Sequence, residues 1–342
     1  MKTDMAQTET VNCLCGSNAA ASRSVVAHDE ASGEDFTYLV CSACSLERLS
    51  PRPTLGKIGS YYPTNYVPHV GHAPKGRADR LKRLVYEVAW APQDEVRPEL
   101  RPWRPLLRVL FWPIRYRSVL AFTPPSVRRV FEFGAARATD LLAFKAAGWQ
   151  ADGCEPSEQA CALALAQGIH LQNATAETAI LASAAYTCIL FNNVFEHIHD
   201  PVSVLRTCHR ALKPGGVLML IVPNHRSCAG RLFGAAWPGY DAPRHIWGWT
   251  PASLRQQLAA AGFAVEYMHH QATGAWLWSS ILSMRHSPGR AGRVQRWLAR
   301  NAAWAGIPFS ILAAWAGRGD FLRLVARKAQ KPAQHPHDRV PT

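Results

Sequence analysis

The sequence predicts an α/β fold: a mostly parallel sheet with helices on both faces, a small cysteine-bearing segment before it, and an aromatic-rich helical insertion ahead of the last strand. Three observations carry this. Between residues 130 and 270, short β-branched or apolar runs alternate with helical patterns at the spacing of βα units. A small-residue turn beginning at Gly134 stands where the first of those strands hands over to a helix. Two cysteine knuckles, Cys13-Leu14-Cys15-Gly16 and Cys41-Ser42-Ala43-Cys44, lie well before that core.

In chain order, strands are expected near 127–133, 150–155, 187–192, 216–222 and 263–270, with a weaker one near 169–172. Helices fall near 138–147, 157–167, 201–212 and 251–261. The breaks have mechanisms. Lys213-Pro214-Gly215-Gly216 stops a helix and turns into Val217–Val222. Thr250-Pro251 sets a cap and an N1 proline before Ala252–Ala261, and Gly262 ends that helix ahead of the strand at Phe263. Asp320–Lys328 reads as a final strand. The chain thus divides into a cysteine segment (1–74), a basic helical linker region (75–126) with helical patterns at 77–91 and 104–122, a core domain (127–328) that contains the helical insertion 271–319, and a tail (329–342) expected to be disordered.

Composition narrows the class. The chain has 342 residues, 48% hydrophobic and 18% charged, which excludes wholesale disorder. Met1–Thr10 lacks an apolar run, so a secretory signal is not expected, and nine cysteines read as reduced thiols or metal ligands in a cytosol. The net charge of +14 is unevenly placed: −2 over 1–74, +8 over 75–129, −1 over 130–284 and +9 over 285–342. The basic excess therefore belongs to the flanks of a nearly neutral core.

Within that core, Phe131-Glu132-Phe133-Gly134-Ala135-Ala136-Arg137-Ala138 is followed by Glu155 at the end of the next strand. Small residues let the backbone approach a nucleoside, and a carboxylate at the neighbouring strand end accepts hydrogen bonds from ribose hydroxyls. Glu155-Pro156-Ser157, Asn192-Asn193-Val194-Phe195-Glu196-His197-Ile198-His199-Asp200-Pro201, Leu212-Lys213-Pro214-Gly215-Gly216 and Val222-Pro223-Asn224 then occur in order at βα spacing. This series closely resembles the class I S-adenosylmethionine-dependent methyltransferases, over roughly residues 128–270. Asp241-Ala242-Pro243-Arg244-His245 narrows the resemblance to the small-molecule, lipid and sugar subgroup that carries an N-terminal Cys motif. It implies a Rossmann-like methyltransferase sheet, S-adenosyl-L-methionine as cofactor, and cofactor contacts from Glu132, Gly134, Ala136, Glu155, Asn192, Asn193 and Val194.

The resemblance implies O-methylation of a small-molecule, sugar or lipid-linked acceptor. His197 and His245 are the candidate bases, because histidine titrates near neutrality. Tyr240, Asp241 and Arg244 are the candidate acceptor contacts, with Arg244 either gripping an anionic acceptor or pairing with Asp241. Departures from the family pattern keep a second reading open. Family members carry glycine where Ala136 and Ala138 stand, and a Cβ there is costly if the turn needs positive φ. Thr187 replaces the acidic residue that usually opens the fourth strand, and no acidic residue near Asn173 is evident for the adenine amine. A catalytically impaired scaffold with a degenerate glycine loop is the alternative.

Cys13, Cys15, Cys41 and Cys44 can make a tetrahedral zinc site of structural role, although the first pair is CxC, where the subgroup has CxxC, and Ser45 replaces a following glycine. Reduced thiols are the other reading. The basic flanks interleave arginines with tryptophan and leucine, and the uncharged stretches at 271–284 and 301–317 are short for a bilayer span. An anionic membrane surface is the expected partner of these flanks, giving a cytoplasmic protein peripheral to the inner face of the membrane; packing on the core is the alternative. Nucleic acid is disfavoured, since no RNA-binding signature is visible and Asn192–Phe195 differs from the base-amine methyltransferase motif.

Overall fold

The N-terminal residues pair into strands that their own segment cannot complete. A computed structural model describes residues 7–17, 20–29, 31–63, 96–110, 128–146, 148–271 and 308–329. Strands β1 (Thr8–Glu9) and β5 (Arg52–Pro53) pair with each other, while β2 (Ala21–Asp29), β3 (Glu34–Cys41) and β4 (Glu47–Leu49) form an antiparallel meander. The short helix α1 (Leu55–Ile58) and a 3-10 turn, Gly59–Tyr61, follow. Residues 52–61 thus carry regular local structure. Helix α2 (Arg104–Leu110) realises the start of the 104–122 pattern; its remainder, the 77–91 pattern, residues 272–307 of the insertion and the tail beyond 329 lie outside the described residues.

The central sheet has seven strands in the order β12-β13-β10-β9-β6-β7-β8. They are β6 (Arg129–Phe133), β7 (Gln150–Cys154), β8 (Leu171–Gln172), β9 (Tyr186–Asn192), β10 (Leu212–Pro223), β12 (Phe263–Gln271) and β13 (Phe321–Lys328). The neighbours from β10 to β8 run parallel, whereas β13 is antiparallel to both β10 and β12. Central strands are apolar on both faces because helices cover both: every residue of β9 but Asn192 is buried. One predicted boundary moves. β10 starts at Leu212, and its register against β9 jumps between Leu212 and Val217, so Lys213–Gly216 forms an irregularity inside the strand.

Helices α3 (Thr139–Ala146), α4 (Glu158–Leu165), α5 (Pro201–Ala211) and α7 (Pro251–Ala260) fall where periodicity places them, and a short α6 (Cys228–Phe233) follows β10. Their starts are capped. Ser157 accepts from Ala160 N–H, Asp200 from Ser203 N–H, and Thr250 forms a reciprocal box with Ser253. The strand β11 (Trp247–Gly248), from the loop before α7, pairs with β4 and completes the order β11-β4-β3-β2. The Cys segment and the core therefore share a sheet. Tyr38 and Leu49 from one side pack in the same cluster as Phe133, Phe195 and Trp249 from the other. No helix of the described residues is long and apolar enough to cross a membrane.

Candidate active site

The first functional turn follows β6. Gly134 has φ 59°, and a Cβ built there would lie 2.6 Å from Val194 Cγ2, so only glycine fits. Ala136 and Ala138 also take positive φ, 46° and 57°. The turn therefore keeps the backbone shape that glycine favours and holds two alanines in it, at about 1–2 kcal/mol each. Glu155, just beyond β7, is oriented by that turn: Oε2 accepts from Ala136 N–H at 2.9 Å and Oε1 from Ser157 N–H at 2.9 Å.

A cavity of about 860 Å³ opens beside it. Gly134, Ala136, Glu155, Asn192, Asn193, Val194, His197, Asp241 and His245 all line this cavity, so most of the predicted contacts meet in one place. Three do not. Glu132 is buried without lining the cavity; burial first, then Asp140, pushes its carboxyl well up. Tyr240 is buried with its hydroxyl donating to Glu47 Oε2 at 2.8 Å, so it supports the wall from behind. Arg244 donates twice to Asp241, at 2.7 and 3.0 Å, and once to the Tyr61 carbonyl, which makes it a clamp between the Asp241–His245 loop and the N-terminal segment.

At one end of the cavity sits a cluster of titratable groups. The His197 and His245 rings meet edge to face with centroids 4.6 Å apart. His197 Nδ1 lies 2.9 Å from the Arg244 carbonyl and 3.0 Å from the Tyr62 hydroxyl, and His245 Nδ1 lies 2.8 Å from the Gly239 carbonyl. A carbonyl can only accept, so each Nδ1 carries the proton and each Nε2 keeps its lone pair. Burial drives both histidines toward the neutral form, His197 down to about 3. Glu196 is fully buried, and neither carboxylate oxygen has a hydrogen-bond partner among the described residues. Burial pushes its pKa up to about 8. Asp241 goes the other way: burial opposes ionisation, but the Arg244 hydrogen bonds outweigh it and hold the carboxylate below its usual range.

Other lining residues do not stand out from the sequence, Glu196, Tyr62 and Glu177 among them. The complete burial of Glu196 needs the fold to be seen. Tyr62, with Leu55 and Ile58, brings the N-terminal segment to the cavity. Glu177 also lines the cavity, with Oε1 accepting from His199 N–H at 2.9 Å, so an acidic side chain does lie a few residues after Asn173.

The four predicted metal ligands converge. Sulfur separations are 3.4 Å for Cys13–Cys44, 3.5 Å for Cys13–Cys15 and 3.8 Å for Cys15–Cys41. Four sulfurs around zinc with bonds of about 2.3 Å sit about 3.8 Å apart, so the CxC and CxxC set fits the ion. Ser45 takes φ 62° in the turn after Cys44, which explains why glycine is favoured there. Burial raises the Cys41 thiol, but the Cys44 and Ala43 N–H groups overcome it and lower it to about 7. The remaining cysteines are free thiols, with Cys154, Cys188 and Cys208 buried in the core.

Residues 108–267 match a family model described as a methyltransferase domain. The chain is 32% identical over 100 residues to the ubiquinone biosynthesis O-methyltransferase of Cereibacter sphaeroides, covering 28% of this chain and 40% of that one. It is 31% identical over 118 residues to the Caulobacter vibrioides protein of the same name, covering 31% and 47%. The chain thus spans less than half the length of these curated relatives. An S-adenosylmethionine-dependent methyltransferase structure from Mesorhizobium loti aligns with a TM-score of 0.41 at 17% identity, over 61% of this chain and 94% of that one. The family match over residues 108–267, just under half of the chain, takes in the Gly134 turn, Glu155, His197 and His245 and marks that segment as similar to a methyltransferase domain.

Proposed function

We propose that the protein catalyses S-adenosylmethionine-dependent O-methylation of a small-molecule acceptor. One observation carries the reading: the glycine turn, Glu155, Glu196, His197 and His245 line a single cavity. When bound, the cofactor supplies a methyl carbon already activated by its sulfonium. The chain's residues then have two tasks, to hold the acceptor hydroxyl in line with that carbon and to manage the hydroxyl's proton. Glu155 and the Gly134–Ala138 turn would hold the cofactor's ribose and methionine ends, with Asn192–Val194 lining the same cavity. Neutral His197 and His245 offer Nε2 lone pairs to the acceptor proton.

Calorimetry with S-adenosylmethionine and S-adenosylhomocysteine tests the reading. Binding of both is expected, with at least about a hundredfold loss in Glu155→Ala, since a bidentate charged contact is worth roughly 3 kcal/mol. The alternative, an impaired scaffold, is favoured by the strained Ala136 and Ala138 and wins if neither ligand binds at millimolar concentration.

The acceptor reading extends to sugar or lipid-linked molecules and to docking on an anionic membrane surface at the inner face. Trp103, Leu106 and Val109 are 62, 61 and 66% exposed beside Arg104 and Arg108, a composition that suits a lipid headgroup layer. Salt-sensitive co-sedimentation with anionic vesicles is expected; its absence removes the membrane part of the proposal.

A further inference from the structure

We infer that Glu196, His197 and His245 form a divalent-cation site in the wall of the acceptor cavity, separate from the cysteine cluster. One ligand atom from each lies within 4.8 Å of the others. His245 Nε2 stands 3.9 Å from Glu196 Oε1 and 3.8 Å from Asp241 Oδ2. Small side-chain rotations close these gaps to the roughly 3 Å that separates ligands around an ion with bonds of 2.0–2.2 Å.

Two independent observations point to a ligand. The first is Glu196: it is fully buried, it lines the cavity, and neither of its carboxylate oxygens has a hydrogen-bond partner among the described residues, His245 Nε2 standing off at 3.9 Å. A buried carboxyl that stays ionised is paired or coordinates a metal, and one left alone keeps its proton. The second is the way the histidines are held. Each Nδ1 is engaged by a backbone carbonyl, Arg244 for His197 and Gly239 for His245, which fixes the tautomer that leaves Nε2 able to ligate. Metal-binding histidines are oriented by this kind of outer hydrogen bond.

Two imidazoles and one carboxylate suit zinc, manganese or iron in the divalent state and leave coordination positions open toward the cavity. The open positions would take an oxygen of the acceptor, so the acceptor class is a molecule with one hydroxyl, or two adjacent ones, able to bind a cation. This role deepens the methyl-transfer reading and rests on it: the ion would lower the hydroxyl's pKa, the two histidines would serve as ligands and not as bases, and the released proton would pass to water.

The test is a metal count. The full-length protein, equilibrated with zinc and dialysed, is expected to retain one ion at the sulfur cluster and a second at this site by elemental analysis. Glu196→Gln and His245→Gln are each expected to lose one ion and keep the other, with S-adenosylhomocysteine binding within about twofold of the unmodified protein as the control for folding. Retention of a single zinc by the unmodified protein, or of both by the variants, overturns the site. Because substitution inside a buried cluster can unfold the Asp241–His245 loop, manganese titration of the unmodified protein by electron paramagnetic resonance serves as a second measurement. Manganese avoids all-thiolate sites. Loss of the free-ion signal for one equivalent at micromolar concentration supports the site, and no loss overturns it. Neither readout involves methyl transfer, so failure of the metal site and failure of the enzymatic reading are distinguishable.

Discussion

Ala136 shows how one side chain can report on a whole motif. Its Cβ sits at φ 46° in a turn whose neighbour Gly134 admits no side chain at all, and its N–H is spent on Glu155. Ala136→Gly is therefore expected to raise stability by about 1 kcal/mol and to leave the Glu155 contact in place. Thermal unfolding checks the first part and cofactor titration the second; a lower midpoint in the glycine variant would contradict the argument. Glu47 supplies the pH-dependent counterpart. Burial opposes its ionisation, yet hydrogen bonds from His225 and Tyr240 and the charge of Arg23 pull its pKa below the usual carboxylate range. A depressed pKa stabilises the fold above the unfolded value of about 4.3, and that stability fades as pH falls through the lower folded value. The stability gap between the unmodified protein and Glu47→Gln is thus expected to be widest above pH ~4.3 and to narrow in more acidic solution, read by denaturant unfolding at several pH values.

Among the elements, strand β3 has a reach that its sequence does not advertise. Tyr38 is wholly buried, and its hydroxyl lies 2.6 Å from the His245 carbonyl and 2.8 Å from the Tyr240 carbonyl, 207 and 202 residues away. Tyr38→Phe leaves those carbonyls short of a donor, an expected cost of about 1–3 kcal/mol. It should lower turnover more than cofactor affinity, because His245 and not Glu155 is disturbed; a variant with unchanged turnover and weakened cofactor binding would reverse that assignment. The strands and helices of the central sheet were legible because each is encoded by its own residues: the runs at β6, β9 and β10, the Thr250 cap, the stop at Gly262. The pairing of β11 with β4 and the arrival of Tyr62 beside His197 were not, because contacts across such separations leave no local periodicity. The same reason hid the partnerless state of Glu196. A carboxylate's solvation is a property of the packed fold, and the Glu-His dipeptide looks the same whether exposed or buried.

For the molecule as a whole, the cysteine cluster and the acceptor cavity are mechanically joined. The cluster's segment supplies three strands of the four-stranded sheet that β11 completes, and α1 with the turn after it walls the cavity. Arg52 Nη1 donates to the His199 carbonyl at 3.1 Å, Trp247 Nε1 to the Ile198 carbonyl at 2.8 Å, and Arg244 to the Tyr61 carbonyl, so the His197–His199 turn is held from both sides. Stripping zinc with a strong chelator is accordingly expected to loosen the acceptor end of the cavity while the Gly134–Glu155 end stays formed. Hydrogen exchange is the measurement: protection should fall over 21–62 and 196–248 and persist over 129–155. Uniform loss, or none, would show that the two parts are not coupled in this way.

The shared sheet also sets a timetable for the nascent chain. Strand β4 is made early, and its partner β11 is encoded about 200 residues later, which at about 5–20 residues per second is a delay on the order of ten to forty seconds. For that interval the cysteine segment is outside the ribosome with an open strand edge and four unprotected thiols. A zinc ion taken up by the four sulfurs within those seconds would shield the thiols and brace the edge to which β11 later pairs.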